Sequence, residues 1–580
     1  MVSMRNMMSS SHSGSLTITA LFDSPPICRH ISASLDVPCL TRLVRSWLLN
    51  FPSTDTRHCS TVENYSPPRL LYLGDELSSV FHIIENAQIQ CKYVAISNQS
   101  ESHFQTKTLM DHERSRGIGI EELTPALQKI VMLTRKLGIS YIFLEALYNV
   151  DNLEDPQQTR VRLISINQAF ANAHCTFAFN DSSGTQGNSN ILRGRTAQDF
   201  PCHFNITKRR SLVIQGPRAE LTESSLHQML DDAGDRYDMW TFVARVLSSR
   251  ILYFEYPVLV FETNGCIASE INPSLQPVNH KMQRVSPSHP SIVDEVKRPR
   301  QAFEALSKHS QSCSDLQQHL YWILLVGSLT SIDPKNSPMS ALGSLALAQH
   351  IFERTNTGTY RHGLWDRYLV FDLLWYIGIG RTRRPLSMEA PTWSWQSVNG
   401  KVAQHFMSQS QNHARQKYFN LQKIAQIPEQ DITTHDPEFS WIEASHQLNI
   451  RCPILRGVDL VQNSSSTSFI TIRTAQISVV AEFLPDTLDI EMFGDIFCAE
   501  IVRELSFDDQ SKTRLQAVWS HGLVLRRLIE TGGASVKVTY KRVGRFWMEW
   551  PVHKNKYWLT GRTVVTPIFN KNKSQLLRIY

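Results

Sequence analysis

At 580 residues the chain exceeds what one ordinary hydrophobic core organises, so two or three domains are expected. Its 42% hydrophobic and 19% charged content excludes wholesale disorder. A net charge of +6, with short basic clusters far apart at 208–210 and 381–384, lacks the dense basic face of a nucleic-acid binder, so no specific nucleic acid is expected as a partner.

In chain order, residues 1–15 are rich in Ser and Met without the apolar centre of a secretory signal, and read as a disordered tail. Residues 16–66 alternate short apolar stretches with turn residues, an expected preface to an α/β domain over 67–270. Within that domain Tyr93-Val94-Ala95-Ile96-Ser97 has the composition of a buried strand. Thr124-Pro125 then opens a helix, because Thr suits an N-cap and the missing N–H of Pro costs nothing at the first helical position. Leu127, Ile130, Val131, Thr134 and Leu137 follow at helical spacing, and Gly138 closes the helix. Residues 139–144 make a second strand. Asp155-Pro156 repeats the cap-and-proline start, with Leu163, Ile166, Phe170 and Ala173 on one stripe, and 175–179 make a third strand. This alternation predicts a parallel sheet with right-handed crossovers, flanked by helices.

Residues 271–315 are rich in Pro, Ser and His and read as a loop. Helical patterning then returns, and 316–402, with Trp365, Trp375, Trp393 and Trp395, is expected as a helical and Trp-rich extension of the α/β domain. Trp393-Ser394-Trp395 alternates as a strand would, with both indoles on one face, as a core seal or else as a stacking platform. Residues 403–447 read as a connector. From 448 to 580 short β-rich runs separated by turn residues predict an antiparallel sandwich or barrel-like module.

Parallel sheets place sites at the carboxyl ends of their strands. Those ends are Ser97-Asn98, Glu145 and Asn180-Asp181. Ser97, Asn98, Asn180 and Asp181 are binding candidates by position alone. Glu145 is the catalytic candidate, as a general base or a carboxylate holding a ribose hydroxyl; the structural alternative is a carboxylate capping loop N–H groups. There is no phosphate loop, dinucleotide fingerprint, His-Glu-x-x-His or nucleophile elbow, so no cofactor is expected. His58-Cys59 and Cys28-x-His30 lack the second pair a structural zinc needs, so no metal is expected either. Ten cysteines without a Cys-x-x-Cys pair read as free thiols, and apolar runs fall short of a membrane span; the cytoplasm is the expected compartment.

The same segments carry a resemblance. Tyr93 to Ser97, Leu137 to Leu147, Ala169 to Ala173, Trp240-Thr-Phe with Arg245 to Arg250, Tyr360 to Trp365, Leu373-Leu-Trp375 and Ala390 to Trp395 resemble, in order, the motifs of the fungal heterokaryon-incompatibility domain. Pro67-Pro-Arg69 is similar to that family's lead-in, and Lys541 to Phe546 to a strand near the end of its members. The resemblance implies a fungal protein of allorecognition and programmed cell death, acting through protein–protein contacts and self-association. It also implies a fold likened to the Toll/interleukin-1 receptor domain, some of whose members cleave NAD with a glutamate. The departures bear on function. Family members follow the first strand with Ser-Tyr-x-Trp-Gly, where this chain has Ser97-Asn98-Gln99-Ser100, and carry Gln-Glu where it has Val243-Ala244. Two further expectations follow: a non-killing scaffold or accessory protein of a specialised-metabolite pathway, or an NAD-cleaving enzyme using Glu145.

Overall fold

The computed structural model describes residues 17–22, 37–50, 65–75, 78–85, 91–98, 117–123, 125–144, 156–179, 202–207, 210–215, 239–254, 259–263, 266–270, 273, 276–277, 299–308, 315–332, 337–352, 358–379, 384, 390–404, 419–428, 442–443, 445–462, 468–473, 478–488, 495–507, 515–532, 535–550, 552–554, 563–565 and 568–580. The chain divides into two units, 1–281 and 282–580. The expected tail at 1–15 lies outside the described residues.

The first unit opens with β1 (Thr17–Phe22) and helix α1 (Val37–Asn50). Its principal sheet has ten strands: β2 (Arg69–Tyr72), β3 (Val80–Glu85), β4 (Tyr93–Asn98), β5 (Ile118–Gly119), β6 (Tyr141–Leu144), β7 (Cys175–Phe179), β10 (Arg250–Tyr253), β11 (Val260–Thr263), β12 (Cys266–Ser269) and β13 (Gln276–Pro277). Strands β8 (Cys202–Thr207) and β9 (Arg210–Gln215) belong to a separate antiparallel sheet with β1. The strand order is β13-β12-β11-β10-β7-β4-β6-β2-β3-β5. As expected, β4 pairs in parallel with β6 on one side and with β7 on the other. A fourth parallel strand, β10, joins β7.

The expectation of a parallel sheet needs correction. Only these four central strands are parallel; β2, β3 and β5 on one flank and β11, β12 and β13 on the other pair antiparallel. Connection length is the reason for β2–β3 and for β10 through β13, because a short link joins antiparallel neighbours whereas a parallel pair needs a crossover. The pairings of β2 against β6 and β3 against β5 are antiparallel between strands distant in sequence. Thr263 pairs with Cys266 across Asn264-Gly265, the sequence signature of a two-residue hairpin.

Helices α2 (Pro125–Lys136) and α3 (Pro156–Ala171) carry the crossovers, and α4 (Met239–Leu247) precedes β10. Leu127, Ile130 and Val131 of α2 are buried, as are Ile166, Ala169 and Phe170 of α3. Tyr93 donates its hydroxyl to the Ala169 carbonyl at 2.7 Å, which ties α3 across β4. The second strand starts at Tyr141 and not at 139, because Gly138 takes a positive φ of 80° and Ile139 N donates back to Thr134 O at 3.1 Å. The helix cap uses those residues first.

The second unit begins with three helices, α5 (Pro299–Lys308), α6 (Asp315–Ile332) and α7 (Ser337–Phe352). Helix α5 falls inside the expected 271–315 loop; Ala302, Phe303 and Leu306 are its buried stripe, too short to stand out beside the proline-rich stretch before it. Next come β14 (Tyr360–Arg361), β15 (Leu364–Trp365), the single turn α8 (Leu369–Asp372), β16 (Trp375–Ile379) and β17 (Lys401–Gln404). The expected connector at 403–447 holds β18 (Phe419–Lys423) and β19 (Ile442–Glu443). Residues 316–402, expected as an extension of the α/β domain, fall in this second unit.

The β-rich module supplies β20 (Leu448–Cys452), β21 (Ile454–Gln462), β22 (Ser468–Arg473), β23 (Ser478–Pro485), β24 (Ile496–Phe507), β25 (Leu515–Gly532) and β26 (Ser535–Glu549). A small hairpin, β27 (Val552–Lys554) with β28 (Thr563–Val565), precedes the last strand, β29 (Gln575–Ile579). Pairing runs β24-β21-β22-β23-β26-β25 and back to β24, antiparallel at each step. Six strands thus close into a barrel, with β18 added outside β24, and β29 and β20 beyond β26. Closure removes exposed sheet edges. Inside lie Ile470, Ile472, Phe483, Cys498, Val524 and Phe546, a filled core. Gly522 marks a tight seam, since a Cβ there would sit 2.0 Å from the Ala499 carbonyl oxygen.

Candidate functional site at the carboxyl edge of the parallel strands

From β4 the chain crosses through α2 to β6; from β6 it returns through α3 past β4 to β7 on the far side. The order of the connections therefore reverses between β4 and β7, and doubly wound sheets bind ligands in the crevice outside such a point. At that point Ser97 is level with Ala178, and Asn98 with Phe179. Ala178 is level in turn with Tyr253 of β10.

Alternation along strands puts Ser97, Ala178 and Tyr253 on one face. It is the α4 face, because Thr176, two residues before Ala178, bonds Ser248 at the end of that helix at 2.6 Å. Ser97 is 2% exposed, and its Oγ has no hydrogen-bond partner among the described residues. Tyr253 donates its hydroxyl to Glu262 Oε2 at 2.6 Å, and the Arg245 guanidinium of α4 lies 5.1 Å from the Tyr253 ring centre. The described carboxylate here is tied to a phenol.

Of the candidates read from sequence, Ser97 and Asn98 end β4 as expected. Glu145, Asn180 and Asp181 lie outside the described residues. Sequence reasoning missed Tyr253, Arg245 and Glu262, which the sheet brings to the same face two and three strands from Ser97. The signal was present as one more helix-then-strand alternation, 239–247 followed by 250–253.

The tryptophans are core. Trp393 and Trp395 are each 1% exposed, which removes the stacking platform. They do not form a strand: Ser394 Oγ accepts from Gln396 N at 3.0 Å and starts a 3-10 turn at Trp395. Their indoles donate to different carbonyls, Trp393 to His446 at 3.2 Å and Trp395 to Gly363 at 3.1 Å. Gly363 has φ 91°, and a Cβ there would lie 2.5 Å from the Trp395 Nε1.

Two buried arginines on β26 bind this Trp-rich segment to the barrel. Arg542 grips Asp486 through Nε at 2.9 Å and Nη2 at 3.1 Å, and donates to the Leu373 and Trp375 carbonyls at 2.6 Å each. Arg545 donates to the Leu374 carbonyl at 3.1 Å. Beside them, His521 Nε2 lies 2.8 Å from Glu504 Oε2, both buried. Burial pushes Glu504 up to about 7, whereas burial and then Arg545 push His521 down to about 3. Burial thus favours the neutral form of both partners of this contact inside a packed layer.

Among the described residues no cluster of three or more His, Cys, Asp or Glu is placed to hold a metal ion, and no described helix is long and apolar enough to cross a membrane. Comparison with protein-family models, curated proteins and solved structures gave no match.

Proposed function

We propose that this chain is a heterokaryon-incompatibility-like fungal protein, an effector or regulator of allorecognition and programmed cell death that works through protein–protein contacts. The observation that carries this reading is where the resembling blocks fall. Tyr93, Ala169, Tyr360, Trp365, Trp375, Trp393 and Trp395 are all buried frame positions. A frame kept while strand-end chemistry changes suits a protein that presents a surface more than one that turns over a metabolite. The strand order β6-β4-β7-β10 is also compatible with the Toll/interleukin-1 receptor-like fold that the resemblance implies.

A second reading has a specific observation behind it. Val243 and Ala244, standing where the family carries Gln-Glu, are each 1% exposed in α4. That helix face has become apolar core, which favours a non-killing scaffold or accessory protein, for example of a specialised-metabolite pathway, over an NAD-cleaving enzyme. Induced expression in a fungal host, scored for growth arrest, separates the two. Arrest supports the effector, and normal growth at matched protein level supports the scaffold. In both cases the partners are proteins, another copy of the chain among them, and the expected compartment is the cytoplasm.

A further inference from the structure

The opposite, amino edge of the same parallel strands has a chemistry of its own. Three neighbouring strand starts carry Lys92, His174 and Arg250. Lys92 immediately precedes β4, and His174 N donates to Tyr93 O at 3.0 Å, which fixes His174 at the start of β7. Arg250 opens β10, one residue before Ile251, which is level with Thr176.

Arg250 is 6% exposed, and its described side-chain hydrogen bond is from Nη2 to His174 Nδ1 at 3.0 Å. Its Nε is buried and has no partner among the described residues. No described carboxylate lies within ion-pair distance of it. Of the neighbouring positions on this edge, Cys175 is level with Arg250 on β7 and is the one described group whose charge favours the guanidinium. The others are Thr263, opposite Arg250 on β11, Cys91 beside Lys92, and Tyr141 and Tyr72 beyond β4; none is a carboxylate. A guanidinium this far from water normally meets a carboxylate, and leaving it uncompensated is costly.

The protonation pattern follows from the geometry. A guanidinium has donors only, so Nδ1 of His174 is the acceptor and Nε2 carries the ring proton. Burial, then Arg250 and Lys92, push His174 down to about 4, so the ring is neutral at ordinary pH. The cluster therefore presents an ammonium, an imidazole N–H and a guanidinium, and no carboxylate among the described residues.

We propose that Arg250, His174 and Lys92 form a binding site for a phosphate group at the amino edge of β4, β7 and β10. The fork of Arg250 matches a tetrahedral oxyanion, Lys92 adds exposed charge at the mouth, and His174 supplies a fixed donor. This site is on the opposite edge from Ser97 and stands independently of the proposed cell-death role.

The test uses the full chain with inorganic phosphate, against chloride at matched ionic strength. His174 is followed by NMR of its ring, assigned with His174→Gln. Phosphate should raise the His174 titration midpoint by about one unit or more, since an adjacent anion favours the imidazolium. Lys92→Gln, at an exposed position, should weaken phosphate binding about tenfold, the value of one charge-assisted contact. Arg250→Gln should abolish the response, and if that variant does not fold, Lys92→Gln alone decides. Parallel titrations with phosphoserine and adenosine 5′-monophosphate identify the source of the phosphate: tighter binding of one names it, and equal binding means the site reads the phosphate alone. An unmoved His174 midpoint, or equal phosphate binding by the wild type and Lys92→Gln, overturns the proposal.

Discussion

At the scale of single residues, buried charge is the feature with the largest consequences. Asp486 is 1% exposed and holds Arg542, which is fully buried and also satisfies two backbone carbonyls. Asp486→Asn would leave that guanidinium uncompensated and should destabilise the second unit by about 3–5 kcal/mol, read from the denaturation midpoint. Glu504 offers a pH test. Its folded value near 7 lies above the ordinary carboxyl value of 4.5, so its contribution to stability is fully present below about pH 4.5 and is lost as pH rises through 7. His521 acts oppositely: its folded value near 3 lies below 6.5, so its contribution is present above about pH 6.5 and is lost as pH falls through 3. Glu504→Gln removes only the first effect. Its stability relative to wild type should therefore climb by about 2–3 kcal/mol between pH 4.5 and 7.5 in urea titrations. A difference that stays flat across that range would show that Glu504 ionises freely in the folded chain.

At the scale of elements, the helices and strands of the first crossovers were legible because Pro125 and Pro156 mark their starts and the strands between are uninterrupted apolar runs. The antiparallel flanks were harder to see. Nothing in Ile251 to Phe254 or Val260 to Thr263 announces direction, although Asn264-Gly265 does point to a hairpin once it is weighed. Trp393-Ser394-Trp395 misled for a physical reason: alternation of large residues is also what a capped 3-10 turn produces when both indoles find carbonyls on either side. Trp395→Ala should cost about 3–5 kcal/mol, from lost packing and a lost bond to Gly363, and an effect under about 1 kcal/mol would mean that the turn is not core. The barrel seam makes a similar test, because Gly522→Ala drives a methyl into the Ala499 carbonyl and should lower the melting temperature of the second unit markedly.

At the scale of the whole molecule, barrel closure and the Arg542 and Arg545 contacts are internal to 282–580. That segment expressed alone should therefore unfold in one cooperative transition, followed by circular dichroism. Closure itself was not readable from sequence, since it depends on β21 pairing with β24 and β23 with β26 at long range; only the run of short strands suggested it. Of the candidate positions, the end of β4 at Ser97 and Asn98 was legible. Strand ends picked out Ser97, but Tyr253, Arg245 and Glu262 arrive through pairings that the sequence does not announce. The central claim is that the chain acts through contact and not by turnover of a nucleotide. Incubating the purified full chain with NAD and following nicotinamide release tests it most directly. The account predicts no release above buffer, and no change with Glu145→Gln; steady release by the wild type that Glu145→Gln eliminates would contradict it.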